Sequence, residues 1–167
     1  MFYKEAPAGG AATVPKAQIR NLKLETIMET PRIQTEVQVM FFDTDCAAVV
    51  HNIAYLRFIE TARTLLADQL GMGLVAMAES QRYPVVVRTE IDYKRPAKLG
   101  DRLVVHGWLA SVERLRFWCA FEIRRPADEA LIVECRQMLA TIQMPECRPL
   151  RPPADWAVRF AHLRPAR

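Results

Sequence analysis

The sequence of 167 residues predicts an α+β fold, in which an antiparallel sheet of about five strands wraps around one long central helix. Three observations favour this fold. Apolar and polar residues alternate from residue 34, apolar residues recur at helical spacing over residues 53–70, and four strand-like segments separated by short turns follow. The apolar helix is most simply buried if the sheet curls around it.

Length and composition indicate one folded domain. Hydrophobic residues make up 51% of the chain, which is enough to build a core at this length. We predict an N-terminal extension over residues 1–33, the folded domain over residues 34–145 and a C-terminal tail over residues 146–167. In this tail, Trp156 and Phe160 are spaced to anchor a short helix.

The first predicted strand carries Val37, Val39 and Phe41 on one face, with polar residues between them. This alternation is typical of a strand that is half buried against a core. The strand delivers two carboxylates, Asp43 and Asp45, to a turn of small residues. We therefore expect both acids to lie just before the start of the helix.

The helix predicted over residues 53–70 has Asn52 as its N-cap and Gly71 as its stop signal. Its apolar face is wider than a narrow stripe, which indicates a helix enclosed by other elements. The residues of this face are Leu56, Ile59, Ala62, Leu66 and Leu70, with Tyr55, Phe58 and Leu65 beside them. Residues 74–82 are predicted to form a short helix or a loop.

Four strands are predicted after the helix. They cover residues 83–93, 101–112, 115–124 and 130–143. The short links at residues 113–114 and 126–129 predict tight turns between neighbouring strands. Prolines after residue 143 are predicted to end the sheet, because proline donates no backbone hydrogen bond. These are Pro145, Pro149, Pro152 and Pro153.

The junction between the first strand and the helix is the predicted active site. Asp45 lies just ahead of the helix, where the first-turn amides have no intrahelical partners and carry partial positive charge. A carboxylate in such a place can act as base or nucleophile while the amides stabilise an oxyanion. The alternative is that Asp45 is a capping or turn-forming residue without a chemical role.

Residues 42–63 resemble the signature of the 4-hydroxybenzoyl-CoA thioesterase-like acyl-CoA thioesterases, which are hotdog-fold enzymes. The matching pattern is Phe42-Asp43-Thr44-Asp45-x-x-x-Val49-Val50-His51-x-x-x-Tyr55-x-x-x-x-Glu60-x-x-Arg63. A second segment is similar to the strand, turn and strand that follow the helix in that family. It reads Ile91-Asp92-Tyr93-Lys94-Arg95-Pro96-Ala97-Lys98-Leu99-Gly100-Asp101-Arg102-Leu103-Val104-Val105. Together the matches cover roughly residues 34–143.

The resemblance implies hydrolysis of an acyl-CoA thioester to a free carboxylic acid and coenzyme A. Asp45, and not Asp43, matches the family's catalytic acid and would be the nucleophile or general base. The backbone amide of Asn52 or Ile53 would polarise the thioester carbonyl. His51 would orient water or contact the thioester, or it is a packed structural residue.

Two further groups are predicted to contact the substrate. Val49, Val50, Ile53 and Tyr55 would bind the substrate, with Tyr55 lining either the acyl pocket or the core, and Arg88, Lys94, Arg95 and Lys98 would hold the phosphates of coenzyme A. No cofactor or metal is expected. The acyl group itself is not predicted, because the depth of the pocket depends on how several strands and a neighbouring subunit meet.

Four residues within the matched segment need separate interpretation. Ala48 replaces the glycine that usually precedes the two valines, and its methyl group is expected to fit only if the backbone avoids a left-handed conformation. Glu60 and Arg63 are predicted to form an ion pair, on the helix surface or at a subunit contact. Cys46 is a less favoured nucleophile, because the neighbouring carboxylate disfavours its thiolate.

Composition excludes other classes of function. The net charge of +4 is spread between acids rather than gathered in a block, so no nucleic-acid partner is predicted. The chain shows no secretory signal and no apolar run long enough to span a bilayer, which predicts a cytoplasmic protein. Its four cysteines show no C-x-x-C pairing or metal-like clustering and are expected to be reduced.

A sheet that wraps one helix leaves an unpaired edge, so we expect a homodimer, paired again into a homotetramer.

Two functions other than thioester hydrolysis stay open. The first alternative function is a hotdog module that binds an acyl thioester without turnover. The second, which the motif fits less well, is an acyl-CoA hydratase or dehydratase that uses Asp45 and His51 together.

Overall fold

Six antiparallel strands form one sheet in the computed structural model, which describes residues 30–163. The strands are β1 (Arg32–Gln38), β2 (Arg82–Tyr93), β3 (Arg102–Val112), β4 (Arg116–Arg125), β5 (Ala130–Gln143) and β6 (Arg148–Leu150). Their order is β1-β3-β4-β5-β2, and β6 pairs with β5. The four strands predicted after the helix are confirmed to within one residue at each end.

A helix of 18 residues, α1 (Asn52–Gln69), packs on the sheet against β1 and β3. A shorter helix, α2 (Leu74–Ser80), follows it, and α3 (Trp156–Arg159) lies near the C-terminus. The buried side of α1 comprises Ala54, Tyr55, Phe58, Ile59, Ala62, Leu66 and Ala67. The predicted α+β fold and the predicted helix are therefore confirmed.

In β3, every second residue from 103 to 109 is buried, on the sheet face toward α1. In β3 the buried positions are Leu103, Val105, Gly107 and Leu109. Gly107 is required there, because a Cβ atom would lie 2.9 Å from the ring of Phe121 and 3.2 Å from Ile33. The alternation along β3 thus identifies the side of the sheet that α1 covers.

The C-terminal segment is more involved in the fold than its prolines predicted. β6 pairs with the end of β5, with Pro149 opposite Ile142, so the prolines do not end the sheet. The predicted terminal helix is present as α3. Its Trp156 is 1% exposed and packs edge-on against Phe117 and Phe160, at ring distances of 5.1 and 5.3 Å.

The predicted N-terminal extension lies mostly outside the described residues, and β1 begins at Arg32, two residues before the predicted strand. Within residues 30–163, no helix is both long enough and apolar enough to cross a bilayer. The cytoplasmic location stays a prediction.

Candidate active site

The turn that carries Asp45 is closed by its own backbone. Thr44 and Val50 form an antiparallel bridge. Inside it, the amide of Asp45 donates to the carbonyl of Val49 at 2.9 Å, and the amide of Ala48 donates to the carbonyl of Asp45 at 3.0 Å. Residues 44–50 are therefore an ordered loop, which we call the Asp45 turn.

The side chain of Asp45 is exposed and held at one oxygen. Its Oδ1 accepts a hydrogen bond from the amide of Ala47 at 2.8 Å. Within residues 30–163, no side chain or backbone group donates to the other oxygen, Oδ2. The contact with Ala47 gives Asp45 the turn-forming role that the sequence offered as the alternative to catalysis. It also fixes the orientation of the exposed Asp45 carboxylate.

The Asp45 turn rests on the segment before β3. The amide of Val50 donates to the carbonyl of Ala97 at 2.8 Å, and Val49 forms an antiparallel bridge with Lys98. Ala97 in turn donates its amide to the hydroxyl of Tyr55 at 3.0 Å. Burial raises the pKa of Tyr55, so this hydroxyl stays protonated at neutral pH. These contacts place Lys98 beside the turn.

Arg125, a residue that the sequence analysis did not single out, holds this segment from the other side. Its guanidinium donates to Asp101 at 2.7 Å and to Asp128 at 2.9 Å. It also reaches the carbonyl of Pro96 at 3.4 Å. The hydrogen bond from Arg125 lowers the pKa of Asp128. Two of its partners, Pro96 and Asp101, come from the connection between β2 and β3, which is distant in sequence, so no local pattern identifies these contacts.

Ala48 adopts a left-handed backbone conformation, which its methyl group was expected to exclude. Its φ angle is 58°, in the left-handed region, so that expectation is wrong. An alanine there costs roughly 1–2 kcal/mol relative to a right-handed conformation. The turn therefore keeps the backbone shape of a glycine turn without the glycine.

His51, and not Asn52, is the N-cap of α1. The Nδ1 atom of His51 accepts from the amide of Ala54 at 3.3 Å, whereas Asn52 is already the first helical residue. The amides of Asn52 and Ile53 donate to no acceptor within residues 30–163, as expected for the first turn of a helix. Capping is thus the structural role of His51, and its catalytic role stays a prediction.

The two acids of the motif have opposite environments. Asp43 is 1% exposed, and its carboxylate pairs with the guanidinium of Arg57 on α1 and accepts from the amide of Met40 at 2.9 Å. Asp45, two residues on, is exposed. Arg57 was not among the predicted site residues, because nothing in the local pattern of α1 marks it as the partner of Asp43.

The predicted acyl-pocket residues divide into two groups. Val50 and Tyr55 are buried in the core, where Tyr55 packs against Tyr93 at a ring distance of 5.8 Å. Val49 is partly buried, and Ile53 is 66% exposed at the start of α1. In a single chain, Ile53 therefore offers the larger surface to a ligand.

The four predicted phosphate-binding residues also differ. Arg88 pairs with Glu90 at 2.9 Å, and Lys94 pairs with Glu134 at 2.9 Å. Arg95 and Lys98 are exposed and form no ion pair with residues 30–163. Of these two, Lys98 is the one bridged to the Asp45 turn.

The thiols and the remaining acids offer little else for catalysis. Cys119 and Cys135 are buried, and desolvation raises the pKa of each to about 12, so both stay protonated. Cys46 is exposed beside Asp45. The predicted ion pair between Glu60 and Arg63 is present at 2.8 Å. Within residues 30–163, no cluster of three or more His, Cys, Asp or Glu side chains is placed to hold a metal ion.

A family comparison decides the class of this protein. The model of the thioesterase-like superfamily matches residues 39–160, which include the Asp45 turn, α1 and the five strands after β1. The chain belongs to the thioesterase-like superfamily. The family that the sequence predicted is thereby confirmed, and with it the enzyme class, a thioester hydrolase.

Curated relatives cover most of the same region. An acyl-CoA thioesterase, YbgC from Haemophilus influenzae, is 30% identical over 129 residues, which are 77% of this chain and 93% of that protein. A 1,4-dihydroxy-2-naphthoyl-CoA hydrolase from Synechocystis is 28% identical over 130 residues, which are 77% of this chain and 94% of that one. The superfamily match therefore agrees with full-length relatives that are named as hydrolases of CoA thioesters.

Solved structures support the fold. The crystal structure of Slr0204, a 1,4-dihydroxy-2-naphthoyl-CoA thioesterase from Synechocystis, has a TM-score of 0.68 at 26% identity and covers 79% of this chain and 97% of its own. SAV2348 from Staphylococcus aureus, solved with CoA, has a TM-score of 0.72 at 15% identity, covering 84% of this chain and 90% of its own, and shows the fold alone. The predicted hotdog fold is confirmed.

Proposed function

We propose that this member of the superfamily is an acyl-CoA thioesterase that hydrolyses its substrate at the Asp45 turn. The observation that carries the proposal is the exposed Asp45 carboxylate, fixed through one oxygen by Ala47, just before a helix whose amides at Asn52 and Ile53 have no acceptor within residues 30–163. A carboxylate in the turn that leads into a helix, together with free first-turn amides of that helix, provides the groups that thioester hydrolysis requires.

Two routes use the same groups. In the general-base route, Asp45 takes a proton from water, the resulting hydroxide adds to the thioester carbonyl, and the C–S bond breaks to release coenzyme A. In the nucleophilic route, an oxygen of Asp45 displaces the thiolate and forms an anhydride, which water then hydrolyses. Both routes place negative charge on the carbonyl oxygen, which the amides of Asn52 or Ile53 would stabilise.

The test is release of free thiol from a panel of aliphatic and aromatic acyl-CoAs by the purified protein. We expect steady release from at least one of them. Tight binding of an acyl-CoA without turnover would instead favour the non-catalytic binding module. Hydration of an enoyl-CoA without thiol release would favour the hydratase. The panel includes 1,4-dihydroxy-2-naphthoyl-CoA because a relative is named for that substrate.

Lys98 is the proposed phosphate contact, since it lies beside the turn and pairs with no acid within residues 30–163. Replacing Lys98 with Ala is expected to raise KM for acyl-CoA about two- to fivefold and leave kcat unchanged, because an exposed contact is weak. Raising the salt concentration should narrow the difference between variant and wild type. Arg88→Ala is the matched control, because Arg88 already pairs with Glu90. An equal rise of KM in both variants would refute the assignment.

We also propose a homodimer, paired again into a homotetramer, with the active site at the dimer interface. β2 lies at an edge of the sheet, and it exposes Val86 and Val87 next to an irregularity in its pairing with β5. An edge strand with exposed apolar residues is a surface that proteins normally cover. Light scattering at micromolar concentration should therefore give at least the mass of a dimer. A monomer mass would contradict the proposal.

A further inference from the structure

The ion pair between Asp43 and Arg57 links the segment just before the Asp45 turn to α1, the helix whose first amides belong to the candidate site. Asp43 belongs to the 3₁₀ turn that leads into the Asp45 turn, and Arg57 belongs to the second turn of α1. The carboxylate of Asp43 is buried and accepts from Arg57 through one oxygen and from the amide of Met40 through the other. Its backbone carbonyl accepts from the amide of His51, the helix cap, at 3.0 Å.

Arg57 is itself held in place. Its guanidinium lies 5.4 Å from the ring centre of Phe42 and 5.0 Å from that of Phe58. Phe42 precedes Asp43 in the chain, and Phe58 is buried in the core. The guanidinium therefore fastens the start of the Asp45 turn to α1 by a charge contact and by stacking on rings from both elements.

From these contacts we propose that Asp43 and Arg57 are positioning residues, which set where the carboxylate of Asp45 lies relative to the first amides of α1. The inference rests on the proposed function. The carboxylate and the amides belong to different segments, so catalysis depends on a fixed distance between them. Displacement of a catalytic group by about 1 Å costs on the order of a hundredfold in rate. Neither residue contacts the substrate in this scheme.

The experiment compares kcat, KM and thermal stability of wild type, Asp43→Asn, Arg57→Gln and the double variant with both changes. Arg57→Gln leaves a buried carboxylate without its partner and is expected to be the least stable. The double variant removes both charges and is expected to regain stability. Positioning predicts that kcat stays about tenfold to a hundredfold low in all three variants, with KM within about twofold of wild type.

A role limited to stability gives a different result. The kcat of the double variant would then recover with its melting temperature, and that outcome overturns the proposal. Arg57→Lys keeps the charge and is expected to recover part of the kcat lost in Arg57→Gln; no recovery would also count against the charge contact. If Arg57→Gln does not fold, the double variant and Arg57→Lys decide the question alone.

Arg159→Gln is the matched control. Arg159 also pairs with an aspartate, Asp155, at 2.9 Å and stacks on a ring, Phe160, at 5.0 Å, but it lies on α3. Its kcat is expected to equal that of wild type. A wild-type protein that releases no thiol from any acyl-CoA would refute the proposed function and this inference together. An active wild type with equally active Asp43 and Arg57 variants would refute this inference alone.

Discussion

Replacing Asp45 with Asn is expected to lower kcat for thioester hydrolysis by about a hundredfold to ten-thousandfold, the range for loss of a general base, and by more if Asp45 is the nucleophile. The amide cannot take a proton from water or form an anhydride. Its oxygen can still accept from the amide of Ala47, so the turn and the melting temperature should be preserved. Thiol release and thermal denaturation measure the two quantities on the same sample.

Controls for this substitution follow from the environments of the neighbouring residues. Asp43→Asn is unsuitable, because Asp43 is buried and paired with Arg57. Cys46→Ser changes an exposed side chain in the same turn and should leave kcat close to wild type. Near-normal hydrolysis by Asp45→Asn would refute the catalytic role and show that Asp45 only forms the turn. A collapse of kcat in Cys46→Ser would instead indicate a thiol nucleophile.

Replacing Trp156 with Ala is expected to lower the free energy of unfolding by about 3–5 kcal/mol, the range for truncating a buried aromatic residue. Trp156 fills the space between Phe117 of β4 and Phe160, and its loss would leave a cavity in the core. Denaturant unfolding followed by circular dichroism measures the change. Kinetic constants at a temperature well below the transition should stay near those of wild type, because the rings against which Trp156 packs, Phe117 and Phe160, lie outside the Asp45 turn.

Val158→Ala on the same helix is the control for Trp156→Ala. Val158 is 71% exposed, so its truncation should change the free energy of unfolding by less than about 0.5 kcal/mol. A loss below about 1 kcal/mol in Trp156→Ala would show that the C-terminal segment contributes little to the core.

Features set by local sequence were predictable. Strand-like segments and the short turns between them located the four strands after the helix, and in β3 and β5 buried positions largely alternate with more exposed ones. The spacing of apolar residues located α1 in the same way. At the site, the motif identified Asp45 as an acid that precedes a helix start, and the structure places it there. The exact cap was not predictable, since Asn52 is the better capping residue in general but His51 has the cap geometry here.

Features that depend on long-range contacts were not predictable. Asp43 and Asp45 are the same residue type two positions apart, yet Asp43 is buried and paired with Arg57 of α1, whereas Asp45 is exposed. Arg125 contacts Asp101, 24 residues away in sequence, and no pattern in either segment indicates that contact. β6 was missed because prolines normally exclude a strand, although an edge position tolerates them.

The contacts beneath the Asp45 turn determine what would have to move if this site were transplanted to another scaffold. The motif of residues 42–63 contains the carboxylate and the amides, but the hydrogen bonds to Ala97 and Lys98 come from a segment that lies outside it. That segment is secured in turn by Arg125 of β4. A graft of the motif alone would therefore carry the reactive groups without the residues that hold the turn in place. The smallest transferable unit extends from the first strand to the turn after β4.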